Sequence, residues 1–550
     1  MKTYEKVFYG VSAPAGSGKT EAAINHIVDC ASQGYLFIFA VPSLKKTQEV
    51  YDRLILKRKE LKGSRPMNDY DLFSIKRVTS DEKCFNNISI EEAITKTMTT
   101  LYNDKTQYLR GGVIVVTHEG LLTSTNISKQ DNKPFHLIWD EATSVIFHRD
   151  TAGNDKQLRS VILDNFLVFE EHTGENGKQY FTIEVSKESI PLLEERIKGH
   201  SASWLAGANK VLELNKFLLH TAQGFCEIAI SGVPDNPGSV VFFYNHLRFY
   251  GYRDVTFLGA NLEMTTLYRW FEKSGVEWKE HPDRRFHNLD KSKHQFRLNI
   301  YYGSKNHEHT KSFLETKNNK GVSYKEMFVD AASEIIEKLP HDEKILTLTN
   351  KRDDEKYSYS EKYILCPRNL EGLNEYRKLK NVMMLGSFNN ETPYYTLLAK
   401  IGMVDYSASL KLYQLLMRLE CREWDFRGTI NLFLPCLDLF EPIKHLFNER
   451  MISYISLGLE FENCEDGRRN TTIPTKEWYL IENKEKMRSS YGFPLKNKNE
   501  YIVWFEKFGY KTSIIEVRYK SGHNKMRKYQ IVYKSDKDLE DAKSHFNSVM

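Results

Sequence analysis

The sequence lacks the cysteine patterns that mark metal and redox centres. Seven cysteines are scattered over 550 residues, and none belongs to a Cys-x-x-Cys pair, so we expect neither a zinc knuckle nor a thioredoxin-type motif. An odd, dispersed set of cysteines is typical of a reducing compartment. Five histidines also show no metal-ligand spacing, and we expect them to be ordinary surface residues: His281, His287, His294, His307 and His309.

Long apolar runs are missing as well. No run approaches the ~20 apolar residues that span a bilayer, and the first residues, MKTYEKVFYG, lack the apolar core of a signal peptide. Hydrophobic residues make up 41% of the chain and charged residues 27%, a balance that argues against a disordered protein. We therefore expect a soluble, cytoplasmic protein without a membrane partner. The net charge of +5 favours an anionic partner only weakly.

The spacing of apolar runs predicts an α/β protein with two similar halves. At roughly 100–200 residues per domain, the length allows about three domains. Residues 5–150 alternate short apolar strands with helical stretches, which indicates a parallel sheet covered on both faces and open to ligands at its carboxyl edge. We predict a first lobe over 1–290 with an α+β insertion at about 151–235, a second lobe over 291–454, and a small basic module over 455–550.

The junction between the first predicted strand and the first predicted helix carries a phosphate-loop pattern. The stretch SAPAGSGKTEAA matches G-x-x-x-x-G-K-[ST], except that Ala13 occupies the first position. Glycines let backbone N–H groups turn towards phosphate oxygens, and the helix adds its positive end. Lys19 would reach the β- and γ-phosphates of ATP, and Thr20 would ligate Mg²⁺. The predicted cradle comprises Ala15, Gly16, Ser17, Gly18, Lys19 and Thr20; the alternative is a glycine-rich turn without a ligand.

An Asp-Glu pair follows the apolar run HLIW. We assign Asp140 to the metal and Glu141 to the base that takes a proton from the attacking water. Taken alone, such a pair at a strand end often does no more than cap a helix. Its position about 120 residues after a phosphate loop favours the catalytic interpretation.

Four stretches of the first half occur in the order of the first-lobe motifs of superfamily-2 helicases. They are APAGSGKT, VPSLKKTQ, VVTHEGLL and WDEAT, which resemble motif I, motif Ia, the threonine-containing single-strand motif and the DEAx box. FLGANLE resembles motif III, with Gly-Ala-Asn in place of Ser-Ala-Thr. The chain thus resembles DEAD/DEAH-like helicases of phage type. The resemblance implies two tandem RecA-like lobes, with contacts to nucleic-acid phosphates at Pro42, Ser43, Thr117 and His118.

The second half resembles the same family more loosely. KILTLTN resembles motif IV, and EGLNEYRKLKNVMMLGSFN resembles motif V, which implies nucleotide contacts at Gly372 and Asn374. YQLLMRLECRE resembles motif VI. Its Gln414, Arg418 and Arg422 are spaced i, i+4, i+8, which predicts one helix face.

The two arginines of this predicted helix suit the role of an arginine finger. A guanidinium in the cleft would neutralise charge on the γ-phosphate, and Arg418 is our first choice over Arg422. The alternative is a solvated helix edge on which these arginines pair with Glu420 and Glu423.

A feature of the DEAD-box RNA helicases is absent. Those proteins carry a glutamine-centred adenine-reading segment upstream of the phosphate loop, whereas 12 residues precede Ala13 here and none is Gln. The absence disfavours the RNA branch of the family and leaves the choice of base open. We therefore expect DNA rather than RNA as the nucleic-acid partner.

The C-terminal stretch TSIIEVRYKSGHNKMRKYQIVYK predicts two strands joined by a basic loop. Residues 466–550 hold 18 Lys and Arg against 11 Asp and Glu. That excess is expected of a wing that binds phosphates, with Lys525, Arg527 and Lys528 at its tip. The alternative is a solvated hairpin whose charges protect an edge strand from aggregation.

Together these patterns predict an ATP-dependent helicase or translocase, a P-loop ATP hydrolase that uses ATP and Mg²⁺ on nucleic acid. ATP would close the cleft between the lobes, because Lys19 and an arginine share its γ-phosphate, and hydrolysis would open it. The alternative is an ATP-gated clamp that anneals or remodels strands without unwinding, with the 151–235 insertion as a protein-docking surface. The second lobe disfavours a P-loop phosphotransferase. We expect a monomer in a bacterial or phage-host cytoplasm, and replication, recombination and repair all stay open.

Overall fold

A computed structural model of the chain forms two compact units. One comprises 1–311 with 325–459, and the other comprises 312–324 with 460–550. The structure describes residues 7–64, 73–80, 89–108, 110–122, 124, 134–141, 146–149, 167–173, 179–200, 208–230, 240–289, 293–318, 321–340, 343–350, 362–366, 376–386, 395, 398, 402–423, 425–459, 478–481, 511–518 and 526–549. In this part of the chain, no helix combines the length and apolar character that crossing a bilayer requires.

The first lobe and its insertion contain strands β1–β12 and helices α1–α8. In chain order these are β1 (Phe8–Ser12), α1 (Lys19–Ala31), β2 (Leu36–Val41), α2 (Leu44–Ser64), β3 (Ser74–Arg77), α3 (Ile90–Tyr108), β4 (Gly112–Thr117), α4 (His118–Leu122), β5 (Phe135–Trp139), β6 (Ile146–Arg149), β7 (Leu167–Thr173), β8 (Gln179–Val185), α5 (Ile190–His200), α6 (Ala208–Ala222), β9 (Cys226–Ile230), β10 (Val240–Tyr244), β11 (Val255–Gly259), α7 (Thr266–Lys273), β12 (Trp278–Lys279) and α8 (Arg284–His287).

The later elements belong to the second lobe and the C-terminal module. They are β13 (Arg297–Ser304), α9 (Lys311–Glu315), α10 (Tyr324–Ile336), β14 (Ile345–Leu348), β15 (Tyr363–Leu365), β16 (Asn381–Met384), α11 (Ser407–Leu416), β17 (Thr429–Cys436), β18 (Ile452–Ser456), β19 (Trp478–Ile481), β20 (Lys511–Arg518), β21 (Met526–Tyr533) and α12 (Asp536–Val549).

The first-lobe sheet has seven parallel strands in the order β12-β1-β11-β5-β2-β4-β3. Every residue of β2 is buried, because the sheet is covered on both faces. Leu36, Ile38 and Ala40 join a core that includes residues of α3. The alternate residues Phe37 and Phe39 join another core with residues of α1 and α2. The order also places β11 between β1 and β5, so three loops converge at one end of the sheet.

The insertion folds around an antiparallel sheet in the order β6-β10-β9-β8-β7, accompanied by α5 and α6. After β10 the chain returns to the first lobe through Arg248, which is 6% exposed. Its guanidinium donates to the carbonyl oxygens of Leu121 and Leu122, the last residues of α4. A buried arginine thereby anchors the end of the insertion to the helix that follows β4.

The second lobe has six parallel strands in the order β15-β14-β16-β17-β13-β18. Together with the first sheet and the insertion, it confirms the predicted fold class of two tandem RecA-like, parallel-sheet α/β lobes. Strands β13 and β18 were not predicted from the sequence. In the other unit, β19-β21-β20 form an antiparallel sheet. The domain boundaries inferred from the sequence stay predictions.

Candidate active site

The phosphate loop joins the end of β1 to the start of α1, and two of its glycines adopt a left-handed backbone. Gly16 has φ +83° and Gly18 has φ +88°, a region that other residues rarely enter. A Cβ at Gly16 would also lie 3.1 Å from the carbonyl oxygen of Arg422. Because α1 begins at Lys19, its first backbone N–H groups have no partner within the helix. The loop therefore has the geometry of an anion cradle.

Lys19 is buried beneath this loop, with 9% of its surface exposed. Its Nζ donates hydrogen bonds of 2.7 Å to the carbonyl oxygens of Ala13 and Pro14. Burial lowers the pKa of Lys19 to about 8, and the attraction of Asp140 and Glu141 opposes that fall only in part. The ammonium holds the first half of the loop in place and still has one hydrogen to donate to an anion.

The lowered pKa of Lys19 predicts proton uptake when nucleotide binds. At pH 9 the free side chain is mostly neutral, because its pKa is about 8. A triphosphate in the loop favours the charged form and raises that pKa, so binding should take up close to one proton at pH 9 and close to none at pH 7. Calorimetry in buffers of different ionisation enthalpy measures this number directly.

The matched control for this prediction is Lys19→Arg. A guanidinium stays protonated throughout this pH range, so the variant should bind nucleotide without proton uptake at pH 9. Nucleotide binding to the unaltered protein with no proton uptake at pH 9 would contradict the prediction.

Asp140 and Thr20, the two predicted metal ligands, are in direct contact. The Thr20 hydroxyl donates to Asp140 Oδ2 over 2.8 Å, and Asp140 is 1% exposed. Burial, with the nearby Glu141 carboxylate, raises the pKa of Asp140 to about 6. Its other oxygen, Oδ1, is buried and has no hydrogen-bond partner among the described residues. Paired oxygen donors with a free carboxylate oxygen fit a hard cation such as Mg²⁺.

Two residues beside this pair have a left-handed backbone although they are not glycine. Glu141 has φ +56° and Asn261 has φ +58°, and in the described chain no other non-glycine residue has a positive φ. They follow β5 and β11, which are neighbours in the sheet. Glu141 Oε2 and Asn261 Nδ2 are both buried without a partner among the described residues. Backbone strain of this kind persists where the surrounding structure enforces it, and it clusters at functional sites.

The second lobe places Arg422 beside the phosphate loop and Arg418 close to Arg422, but the two arginines are not on one helix. Arg418 is 8% exposed, and its Nε is buried without a partner within the described residues. Burial and the adjacent Arg418 lower the pKa of Arg422. The prediction that Gln414, Arg418 and Arg422 share one helix face is wrong. Helix α11 ends at Leu416, and Arg422 lies in a separate 3₁₀ turn.

The chain stays buried in the core after the helix ends. Leu416 and Leu419 are fully buried, and Leu419 has an extended backbone (φ −82°, ψ −176°). Gln414 stays on α11, whereas the chain reverses before Arg422. The two arginines therefore lie in separate short turns after α11 and not on neighbouring turns of one α-helix.

A hydrogen bond joins the phosphate loop directly to the second lobe. The backbone N–H of Ala15 donates to the Tyr413 hydroxyl over 3.0 Å, and that hydroxyl lies 2.8 Å from His294 Nε2. The expectation that the histidines of 281–309 lie at the surface is wrong for three of them. His281, His294 and His309 are between 1% and 6% exposed, because their rings pack into the core and hydrogen-bond there.

The residues predicted to contact nucleic acid in the first lobe follow two neighbouring strands. Pro42 and Ser43 come after β2, Thr117 ends β4, and His118 begins α4. Each pair contains a hydroxyl that caps the following helix: Ser43 accepts from the N–H of Lys46, and Thr117 accepts from that of Gly120.

His118 has a structural contact that the sequence did not reveal. Its ring stacks on Trp139, with centroids 4.2 Å apart. Withdrawal from water lowers the pKa of His118 to about 3, so the ring is neutral. Contacts between nucleic acid and the residues after β2 and β4 stay predictions.

The remaining predicted site residues belong to the 372–374 segment and to the C-terminal module. Gly372, Asn374 and Lys525 are outside the described residues. Arg527 and Lys528 lie within strand β21, opposite Val517 and Glu516 of β20. Their contribution to a phosphate-binding wing stays a prediction.

The sequence analysis missed Lys46, which is 7% exposed in the first turn of α2. Its Nζ is 3.0 Å from Glu49 Oε1, and its charge draws the pKa of Asp140 downwards. Glu49 in turn pairs with Arg53, which also contacts Glu21 next to Thr20. An ion-pair chain thus links the helix after β2 to Glu21, in the first turn of α1.

Comparison with known proteins gives structural likenesses only. No family model matches the chain, and no curated protein matches it by sequence. Among 66 structurally similar chains, an XPD helicase is 12% identical, with 82% of this chain and 96% of that chain covered and a TM-score of 0.41. The yeast DEAD-box splicing factor Prp28 is 12% identical, with 82% and 80% covered and a TM-score of 0.22. Dbp5 of S. cerevisiae, bound to RNA and ADP BeF3, is 10% identical, with 82% and 86% covered and a TM-score of 0.34. At these identities and TM-scores, the likenesses establish no site residue and no activity for this chain.

Proposed function

We propose that the chain is an ATP-dependent helicase or translocase that acts on nucleic acid, DNA rather than RNA. One observation carries the proposal: buried polar atoms of the phosphate loop, of the Asp-Glu pair after β5, and of the arginine segment that approaches the loop at Arg422 have no partners among the described residues. They are Ser17 Oγ, Asp140 Oδ1, Glu141 Oε2 and Arg418 Nε. Because buried polar atoms in native proteins nearly always have partners, such a set points to a polar ligand. A metal–triphosphate offers oxygens to the donors and a cation to the carboxylates.

The residues of the first lobe supply the chemistry of hydrolysis. Lys19 and the loop amides hold the phosphates, and the Glu141 carboxylate takes a proton from the attacking water. Bound Mg²⁺, which Thr20 and Asp140 would hold, neutralises charge on the phosphate oxygens. The left-handed backbone at Glu141 turns its side chain away from the line of β5. Two adjacent carboxylates can therefore serve a metal and a water without competing for one position.

The second lobe supplies positive charge across the cleft. Arg418 is held buried with a free Nε, which suits a guanidinium that stabilises charge on the transferred phosphoryl group. Loss of that phosphoryl group removes the ligand that Lys19 and Arg418 share, so the two lobes loosen. Nucleic acid that lies across both lobes is then bound more tightly by one lobe and by the other in turn. The polar groups at the ends of β2 and β4 favour contacts with the phosphate backbone and low sequence selectivity.

The decisive experiment compares ATP hydrolysis alone and with single-stranded DNA, forked DNA or RNA. We expect single-stranded DNA to raise turnover several-fold, because backbone contacts couple the lobes to the strand. RNA should raise it less, because the chain lacks the glutamine-centred segment of the RNA branch. Lys19→Ala protein serves as the background control. Hydrolysis that no nucleic acid stimulates would contradict the proposal.

Strand separation on the forked duplex distinguishes the helicase from the ATP-gated clamp. Stimulated hydrolysis with ATP-dependent unwinding supports the helicase, and stimulated hydrolysis without unwinding supports the clamp. The phage-type character, a protein partner at the insertion, and a role in replication, recombination or repair stay predictions from the sequence.

A further inference from the structure

The Tyr413 hydroxyl is the direct link between the second lobe and the phosphate loop. Tyr413 lies on α11, and its side chain is completely buried. Its oxygen accepts the Ala15 N–H over 3.0 Å and lies 2.8 Å from His294 Nε2. Ala15 and Tyr413 are 398 residues apart in the chain, so the contact exists only because the lobes meet at this point.

The Tyr413 hydroxyl takes part in two hydrogen bonds, one with Ala15 and one with His294. An amide N–H can only donate, so the Tyr413 oxygen accepts from Ala15. The same hydroxyl shares a hydrogen bond of 2.8 Å with His294 Nε2. His294 is 5% exposed and packs against Phe296 and Phe447. His294 thus orients the Tyr413 hydroxyl, and the oxygen of that hydroxyl anchors the phosphate loop through the Ala15 N–H.

Tyr413 is also fixed to the segment that carries the arginines. Its carbonyl oxygen accepts the N–H of Met417 at 3.0 Å, and the N–H of Arg418 donates to Leu415 at 3.1 Å. The same loop that receives the Tyr413 hydroxyl approaches the carbonyl oxygen of Arg422 at Gly16. A shift of α11 against the loop would therefore displace both arginines.

We propose that the Tyr413 hydroxyl is a positioning group. By binding the phosphate loop, it fixes the position of the 418–422 arginine segment relative to that loop, and His294 orients the hydroxyl. The inference rests on the proposed function, because the exact position of the arginines matters only if they act on a phosphoryl group. Tyr413 touches the loop backbone rather than the reacting atoms. Its effect should therefore fall on the chemical step and spare the binding of a nucleotide without a γ-phosphate.

The test is Tyr413→Phe, which keeps the buried ring and removes only the hydroxyl. One hydrogen bond of this kind corresponds to about a tenfold effect. We expect kcat and the affinity for ADP–aluminium fluoride, a mimic of the transferred phosphoryl, each to fall about tenfold. The affinity for ADP should stay unchanged. Tyr302→Phe, at a tyrosine of β13 that is 7% exposed, makes the same change in the same lobe and should leave all three values unchanged.

Substitutions at His294 test the orienting role independently. His294→Phe keeps an aromatic ring in this cluster but removes the hydrogen-bond partner of the Tyr413 hydroxyl, so kcat should fall with ADP affinity retained. His294→Gln places an amide oxygen near the position of Nε2 and should restore most of the lost turnover. A rescue of this kind is not expected if His294 serves only to fill space.

The outcomes separate the inference from the proposed function. A wild-type protein that does not hydrolyse ATP overturns the proposed function, and the inference with it. A wild-type ATPase whose Tyr413→Phe variant keeps full kcat overturns the inference alone. Equal loss of affinity for ADP and for ADP–aluminium fluoride also overturns it, since that result indicates a damaged loop rather than misplaced arginines.

Discussion

Replacement of Lys19 by alanine is expected to lower ATP turnover about a thousandfold or more. The substitution removes two things at once. The Nζ atom bonds the carbonyl oxygens of Ala13 and Pro14, so the first half of the loop loses its internal support. The loop also loses the one buried cation that it carries among the described residues, and the methyl group of alanine cannot replace a fixed positive charge next to a bound phosphate. Steady-state hydrolysis together with direct nucleotide binding measures the effect.

The control for Lys19→Ala is Lys273→Ala. Lys273 is exposed in the last turn of α7, so its removal changes the net charge equally without touching the loop. This variant should hydrolyse ATP at the normal rate. If Lys19→Ala kept turnover within a few-fold of the unaltered protein, the loop would not be a phosphate site and the proposed function would fail.

Replacement of Glu141 by glutamine is expected to lower kcat about 10²- to 10⁴-fold while nucleotide binding is retained. The amide has almost the same shape as the carboxylate, and the left-handed backbone costs about the same for either residue. Only the capacity to accept a proton disappears. Single-turnover hydrolysis measures the chemical step, and binding of a fluorescent nucleotide measures affinity.

Glu272→Gln provides the matched control for this second prediction. Glu272 is exposed on α7, so the same chemical change there should leave the rate unaltered. A Glu141→Gln protein that hydrolysed ATP at the normal rate would exclude Glu141 as the base. An equal loss of nucleotide affinity would instead assign Glu141 to binding.

The local patterns were sufficient to predict the elements that form the proposed phosphate site. The junction around Gly16, Gly18 and Lys19 was predicted because a turn that exposes successive amides requires glycine, whatever its distant neighbours are. Strand β2 was predicted because a strand covered on both faces must be apolar at every position. Asp140 was placed correctly at the end of β5 for a similar reason, because it is the first charged residue after the apolar run that ends at Trp139.

Other features depend on contacts that a local pattern does not contain. The periodicity of 407–422 is helical, yet α11 stops at Leu416, and Leu419 is buried with an extended backbone. The polar appearance of 281–309 suggested that these residues lie at the surface. His294 is nevertheless buried, and it hydrogen-bonds Tyr413, which is 119 residues away in the chain. Tertiary packing overrode the local preference in both cases.

By itself, the sequence determined which chemical groups are present and which strand or helix presents each of them, because glycine turns, apolar strands and helix starts are decided by neighbours in the chain. Tertiary structure alone decided which of these groups meet. Strand β11 enters between β1 and β5, so the turn at Asn261 joins those at Lys19 and Glu141. Tyr413 reaches Ala15 only when the second lobe lies against the first. Contacts between distant segments follow from the packing of whole sheets, which no single stretch of sequence encodes.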